Sequence, residues 1–227
     1  MPASQTSLNE RCRRLLGDSG ATTWTDLKIN EWINDAIVDL SHHFPRVIIT
    51  DLSTTLNTRE YDLELNFIAA LSVEFPQGED PPVYLERKHH LDDDFWITDG
   101  YYDILDTQTA DSTNDPQIFI SEKPAASLTI RVRHTAVHNE LSAPADITTL
   151  EDRHLHLIAM FVRWKCWENI SIYDGTDPDP LKDTTTAKEE MAAMAGKAYL
   201  EALQRAKDSE STSAQIHWTQ DKYGQIY

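Results

Sequence analysis

The chain has 227 residues with 38 acidic and 20 basic side chains, a formal net charge of -18, and 40% apolar residues including six tryptophans. This length supports one large domain or two small ones, and the apolar content excludes wholesale disorder. So acidic a surface repels nucleic acid, no apolar run is long enough to span a bilayer, and the N-terminal MPASQTSLNERC contains no apolar signal segment.

The first predicted helix covers Ser7 to Leu16. Ser7 and Glu10 have capping-box spacing, and Leu8, Cys12, Leu15 and Leu16 share a face. Arg11, Arg13 and Arg14 form the only basic cluster, read as salt-bridge partners rather than a DNA site. Gly17 and Gly20 end the helix. A second helix, Trp24 to Phe44, is capped at Thr25 or Asp26 and stopped by Pro45, which biases Phe44 out of the α region. Its buried stripe is Ile29, Trp32, Ile33, Ala36, Ile37, Leu40 and Phe44. The opposite face carries Lys28, Asn30, Glu31, Asn34, Asp35 and Asp39.

From Arg46 the pattern changes to short alternating runs. Val47–Thr50, Tyr61–Leu65, Leu71–Phe75, Val83–Leu85, Tyr101–Leu105, Gln117–Ser121 and Leu128–Arg133 read as strands, separated by turn-rich stretches at Pro76–Pro82 and Thr107–Pro116. Seven short strands without long helices between them predict an antiparallel sandwich or barrel. Helix then returns. Thr148 and Glu151 repeat the capping-box spacing, and Leu155–Ile172 is apolar nearly all round, as expected of a helix central to a bundle or covered by a neighbouring subunit. Gly175 and the segment TDPDP break the chain before a last helix from Thr186. Its Met191, Met194, Ala195, Ala198, Ala202 and Ala206 make a narrow stripe flanked by Tyr199 and Leu203. Ser209–Tyr227 reads as an extended polar tail carrying Ile216, Trp218, Tyr223, Ile226 and Tyr227.

The expected fold is α+β. The N- and C-terminal helix pairs (1–45 and 148–208) form a four-helix bundle, into which an antiparallel β domain (46–147) is inserted, and the tail spans 209–227. Cys12 and Cys166, both in predicted helices among apolar neighbours, read as buried free thiols of a protein kept in a reducing cytoplasm.

The chemistry-bearing residues point away from catalysis. His154 and His156 are two apart and do not share a helix face, and His134 falls at a strand end away from His138. The adjacent pairs His42–His43 and His89–His90 are expected to point in different directions. No Cys-x-x-Cys, His-Glu-x-x-His, Walker A, GxGxxG or GxSxG motif occurs. Asp92–Asp94 and the loop Asp174–Asp179 lack EF-hand spacing and read as solvated acidic segments. The expectation is a protein without metal, cofactor or catalytic residues. An enzyme such as a cell-wall glycosidase would need two carboxylates lining a cleft, which spacing alone does not decide.

Taken in order, WTDLKINEWINDAIVDLSHHFP, EYDLELNFIAALSVEF, PPVYLERK, YYDIL, QIFISEKPAASLTIRVRH and ITTLEDRHLHLIAMFVRWKCWENI make the chain resemble the head-to-tail adaptor proteins of tailed bacteriophages, over Leu8 to Ala206. The resemblance implies a structural protein made in the host bacterial cytoplasm and placed in the virion neck. There it would form a ring, usually of twelve copies, bound to the portal protein on one face and to tail or other neck proteins on the other. DNA would pass through without specific binding. A stopper or tail terminator is the neighbouring structural alternative. Under this reading Ile216, Trp218, Tyr223, Ile226 and Tyr227 dock onto the portal or a neighbouring subunit. Lys28, Glu31, Asp35, Asp39, Trp164 and Trp167 are the candidates for the subunit interface.

Overall fold

The structure is a computed structural model that describes residues 3–106, 116–174 and 184–222; for 106, 171–174, 184–186 and 211–222 the backbone alone is described. The fold is α+β, with four helices and two largely antiparallel sheets. The chain divides into two compact units, one built from 1–44 and 138–227, the other from 45–137.

In the first unit, helix α1 spans Gln5–Leu16. Its N-cap is Ser4, whose hydroxyl accepts from the Ser7 amide at 3.2 Å, so Ser7 lies one turn inside the helix and not at its cap. Gly17 ends it at φ +73, and the Gly17 and Asp18 amides donate back to the Arg14 and Arg13 carbonyls. Helix α2 spans Asp26–His43 with Thr25 as N-cap. Every residue of its predicted apolar stripe, Ile29 through Phe44, is buried.

A 3-10 turn at Asp152–His154 leads into helix α3, Leu155–Asp174. Thr148 does not cap this helix; its hydroxyl accepts from Leu150 N within a buried turn. Helix α3 packs against α1, α2 and α4. Contact on three sides explains why it is apolar nearly all round: Leu157, Ile158, Phe161, Val162 and Cys166 all enter the same core as Leu8, Ile33 and Leu40.

Helix α4 spans Thr184–Lys222, adding Tyr199 and Leu203 to that core. The expected extended tail from Ser209 is therefore not extended as far as Lys222. The physical reason is compositional: Arg205–Lys222 contains neither glycine nor proline, and the first helix-breaking residue after it is Gly224.

The second unit holds two sheets. One is ordered β1–β7–β3 (Arg46–Ser53, Thr129–Ala136, Phe67–Glu74), the other β2–β6–β5–β4 (Glu60–Asp62, Pro116–Ile120, Tyr101–Asp106, Glu86–Arg87). All pairs are antiparallel except β4 with β5. The expected strand Val83–Leu85 falls just before the observed β4; Tyr84 makes only an isolated bridge to Glu74. Strand β7 buries Ile130, Val132, His134 and Ala136 and turns Arg131, Arg133 and Thr135 outward, the period-2 pattern of a half-buried strand. Ile130 and Val132 share a core with Val73 and Phe75 and with Leu63, Tyr102, Ile118 and Ile120, so the inner faces of both sheets fill one interior. His134 lies inside β7, not at its end, and its Nε2 sits 3.1 Å from Thr50 Oγ1 on the neighbouring strand.

Candidate interaction surfaces

In the first unit, the turn between α1 and α2 is set by one carboxylate. Asp18 accepts from the amides of Thr22, Thr23 and Trp24, from the Thr22 hydroxyl and from Arg13 Nη1 at 3.1 Å. Burial alone would raise its pKa, but the hydrogen bonds from Thr23, Trp24 and Thr22 outweigh that effect and hold it down at about 2. Arg13 also reaches Asp26 and the Trp24 carbonyl. It is thus the salt-bridge residue expected of the basic cluster.

The polar face of α2 serves the chain itself more than its sequence suggests. Asn30 accepts from Asn9 Nδ2 at 2.8 Å, and Asn34 exchanges two hydrogen bonds with the backbone of Leu141. Asp39 accepts a hydrogen bond from Tyr199 of α4. Burial first, and then this bond, push the Tyr199 phenol up, so it stays protonated as the donor. Lys28 and Glu31 pair at 2.8 Å, and Glu31 and Asp35 are exposed. Of the four interface candidates on this face, Lys28, Glu31 and Asp35 lie along one exposed strip, whereas Asp39 is engaged inside the unit.

Trp164 and Trp167 are half-buried on α3. The Trp164 indole stacks on Tyr199 at 6.0 Å and meets Phe161 edge-on at 5.7 Å. Beside it, α3 and α4 enclose an open groove of about 700 Å³ between Trp164 and the Ala192, Ala193, Gly196 and Leu200 side of α4. Leu200 is 59% exposed there. Ile216 and Trp218 lie on the backbone of α4; their side chains, and all of Tyr223, Ile226 and Tyr227, lie outside the described residues. So does most of the acidic loop Asp174–Asp179.

In the second unit, segment 88–100 folds over the outer side of the β5–β6 pair. Asp103 Oδ2 accepts from the His90 amide at 3.0 Å and from its ring Nδ1 at 2.8 Å, and Oδ1 accepts from the Ile104 amide. Burial raises the Asp103 pKa, but these donors prevail and keep the carboxyl below its ordinary range. The rings of His89 and His90 stack at 4.7 Å and 25°, contrary to the expectation that they diverge. The cause is the turn after Lys88, which folds the backbone so that His89 Nδ1 accepts from the Leu91 amide.

His89, His90 and Asp103 are the one group among the described residues with ligand atoms close enough to hold a metal ion. Hydrogen bonds engage His90 Nδ1, His89 Nδ1 and both Asp103 oxygens and tie segment 88–100 to β5. The cluster acts as a loop anchor. Sequence reasoning missed it because Asp103 lies thirteen residues from His90 and meets it only through sheet pairing.

These features define a two-part α+β protein. The profile of the SU10 adaptor protein family matches residues 5–218, across both units, and the chain belongs to that family. It is a bacteriophage adaptor protein, of a family that is structural rather than enzymatic and implies association with portal and tail proteins in the virion neck. No curated protein sequence matches the chain. No described helix is long and apolar enough to cross a membrane.

Proposed function

We propose that this chain is a head-to-tail adaptor that assembles as a ring, of twelve copies, beneath the portal of a tailed bacteriophage and offers its other face to tail or neck proteins. The observation that carries the reading is the family match over residues 5–218, which takes in the helices on both sides of the β unit as well as that unit. In this reading the helices α1 to α4 act as a four-helix bundle carrying an inserted β-sandwich. Lys28, Glu31, Asp35, Trp164 and Trp167 face a neighbouring subunit, and Asp39 holds Tyr199 of α4 behind them. Ile216, Trp218, Tyr223, Ile226 and Tyr227 dock onto the portal or onto the next copy.

The charge supports a passive conduit. A ring of chains that each carry -18 repels DNA within a Debye length of about 8 Å, so DNA passes without adhering. Nothing in this function requires a cofactor or a catalytic group.

Mass measurement of the purified full chain with and without isolated portal tests the reading. The expected result is a portal complex containing twelve copies, seen as a closed ring by electron microscopy. A chain that stays monomeric and ignores portal overturns it.

A further inference from the structure

We propose that the groove between α3 and α4 receives residues Ile216–Tyr227 of a second copy of this chain. The inference rests on the ring reading for the presence of that second copy and names the contact that would join one copy to the next.

The groove is lined by apolar surface of Trp164, Ala192, Ala193, Gly196 and Leu200, with nothing of the described chain filling it. Leu200 alone leaves more than half of its surface in water, at a cost that an apolar occupant would remove. The groove runs along α4 from Ala192 to Gln204, about 18 Å at 1.5 Å per residue. Segment Ile216–Tyr227 concentrates Ile216, Trp218, Tyr223, Ile226 and Tyr227 in twelve residues. Aromatic anchors of this kind dominate interface energetics because each buries a large area with few rotamers lost.

Ile216 and Trp218 do not reach the groove of their own copy. Helix α4 continues from Gln204 to Lys222, which carries the chain about 27 Å away from the nearest groove residue. Ile216 and Trp218 are fixed on the same helix and cannot turn back at all. The segment that fits must come from another copy.

Charge favours the same occupant. Two copies of this chain repel each other across most of their surfaces. The groove rim, however, holds its acids in pairs: Glu168 with Lys165 at 2.8 Å, and Glu201 with Arg205 at 3.4 Å and Lys197 at 4.0 Å. Segment Ile216–Tyr227 is balanced too, with one acid, Asp221, and one base, Lys222. Neither side of this contact carries the acidic excess that pushes the remaining surfaces apart. Because each copy offers one groove and one segment on different parts of its surface, the contact is heterologous and propagates head to tail, closing when the rotation per copy allows.

Photo-cross-linking tests this without portal. The full chain with Trp218→p-benzoylphenylalanine is mixed with isotopically labelled full chain, irradiated, and the cross-linked peptides are identified by mass. The expected product joins position 218 of one copy to residues 192–204 of the other. Leu200→Glu and, separately, Ala193→Glu, both at exposed positions, should each lower its yield at least about tenfold while the far-UV circular dichroism stays unchanged. Cross-links only within one copy, cross-links to other regions, no cross-link, or a yield that both groove variants leave intact would each overturn the proposal. A groove cross-link in a chain that ignores portal would remove the adaptor reading and leave the groove contact standing. Portal binding without the cross-link would do the reverse.

Discussion

Gly196 of α4 lies directly against the indole of Trp164 on α3: a Cβ placed on Gly196 would stand 3.0 Å from Trp164 Nε1 and 3.3 Å from its Cδ1. The missing side chain therefore sets the spacing of the two helices. A glycine inside a helix ordinarily costs about 1 kcal/mol relative to alanine. Gly196→Ala should not recover that stability, because the half-buried indole has to shift by a few tenths of an ångström. Gly196→Leu should lose about 2 kcal/mol through overpacking. Urea unfolding followed by tryptophan fluorescence checks both; a Gly196→Ala variant about 1 kcal/mol more stable would show that Trp164 yields freely.

His138 should be worth more than its position after a strand suggests. It follows the end of the β unit, and its Nε2 lies 2.8 Å from the carbonyl of Phe44, the residue just before that unit begins. A carbonyl only accepts, so Nε2 carries the proton and Nδ1 accepts from the Thr149 hydroxyl at 2.7 Å. The His138 amide donates in turn to Ser41 Oγ. His138→Ala leaves the buried Phe44 carbonyl without this donor and should cost about 2 kcal/mol in urea unfolding. His138→Gln, which can still donate near that place, should recover part of the loss. Equal stability of wild type and His138→Ala would mean that water replaces the ring.

The helices were legible in the sequence because their signals are local. The stripe from Ile29 to Phe44, the Thr25 cap and the stop at Pro45 all act within a few residues, and the structure buries each stripe residue. Two caps were misread for a physical reason. Ser7 and Thr148 both stand three residues before a glutamate, yet the Ser7 hydroxyl donates back to the Ser4 carbonyl inside α1 and the Thr148 hydroxyl accepts from a turn amide. What stayed hidden depends on pairing across the chain. Asp39 looked like free surface until Tyr199 reached it from 160 residues away. The His90–Asp103 anchor exists only because β5 aligns beneath segment 88–100.

The two cysteines give a direct reading of core integrity. Both are buried, and burial pushes each thiol up to about 12, outweighing Arg11 and Arg13 at Cys12. The thiolate is the reactive form, so both should be inert to Ellman's reagent at pH 8 and react fully only in denaturant. Fast labelling of one thiol in native buffer would show that the helical core opens locally around it.

Acid should weaken the α1–α2 turn between about pH 4 and 2. The Asp18 carboxyl is held at about 2 when folded, whereas an unfolded aspartate titrates near 3.9. The folded pKa is the lower one, so the stabilisation it supplies is fully present above about pH 4 and is lost as pH falls toward 2. Protonation removes the charge that gathers the Thr22, Thr23 and Trp24 amides and Arg13. Melting temperature followed from pH 5 to 2 should therefore drop more steeply for wild type than for Asp18→Asn, which cannot titrate. Asp18→Asn should also be the less stable protein at pH 7, because its amide accepts fewer of those donors and leaves Arg13 without that counter-charge. Parallel acid profiles for the two proteins would show that Asp18 titrates alike in the folded and unfolded chains.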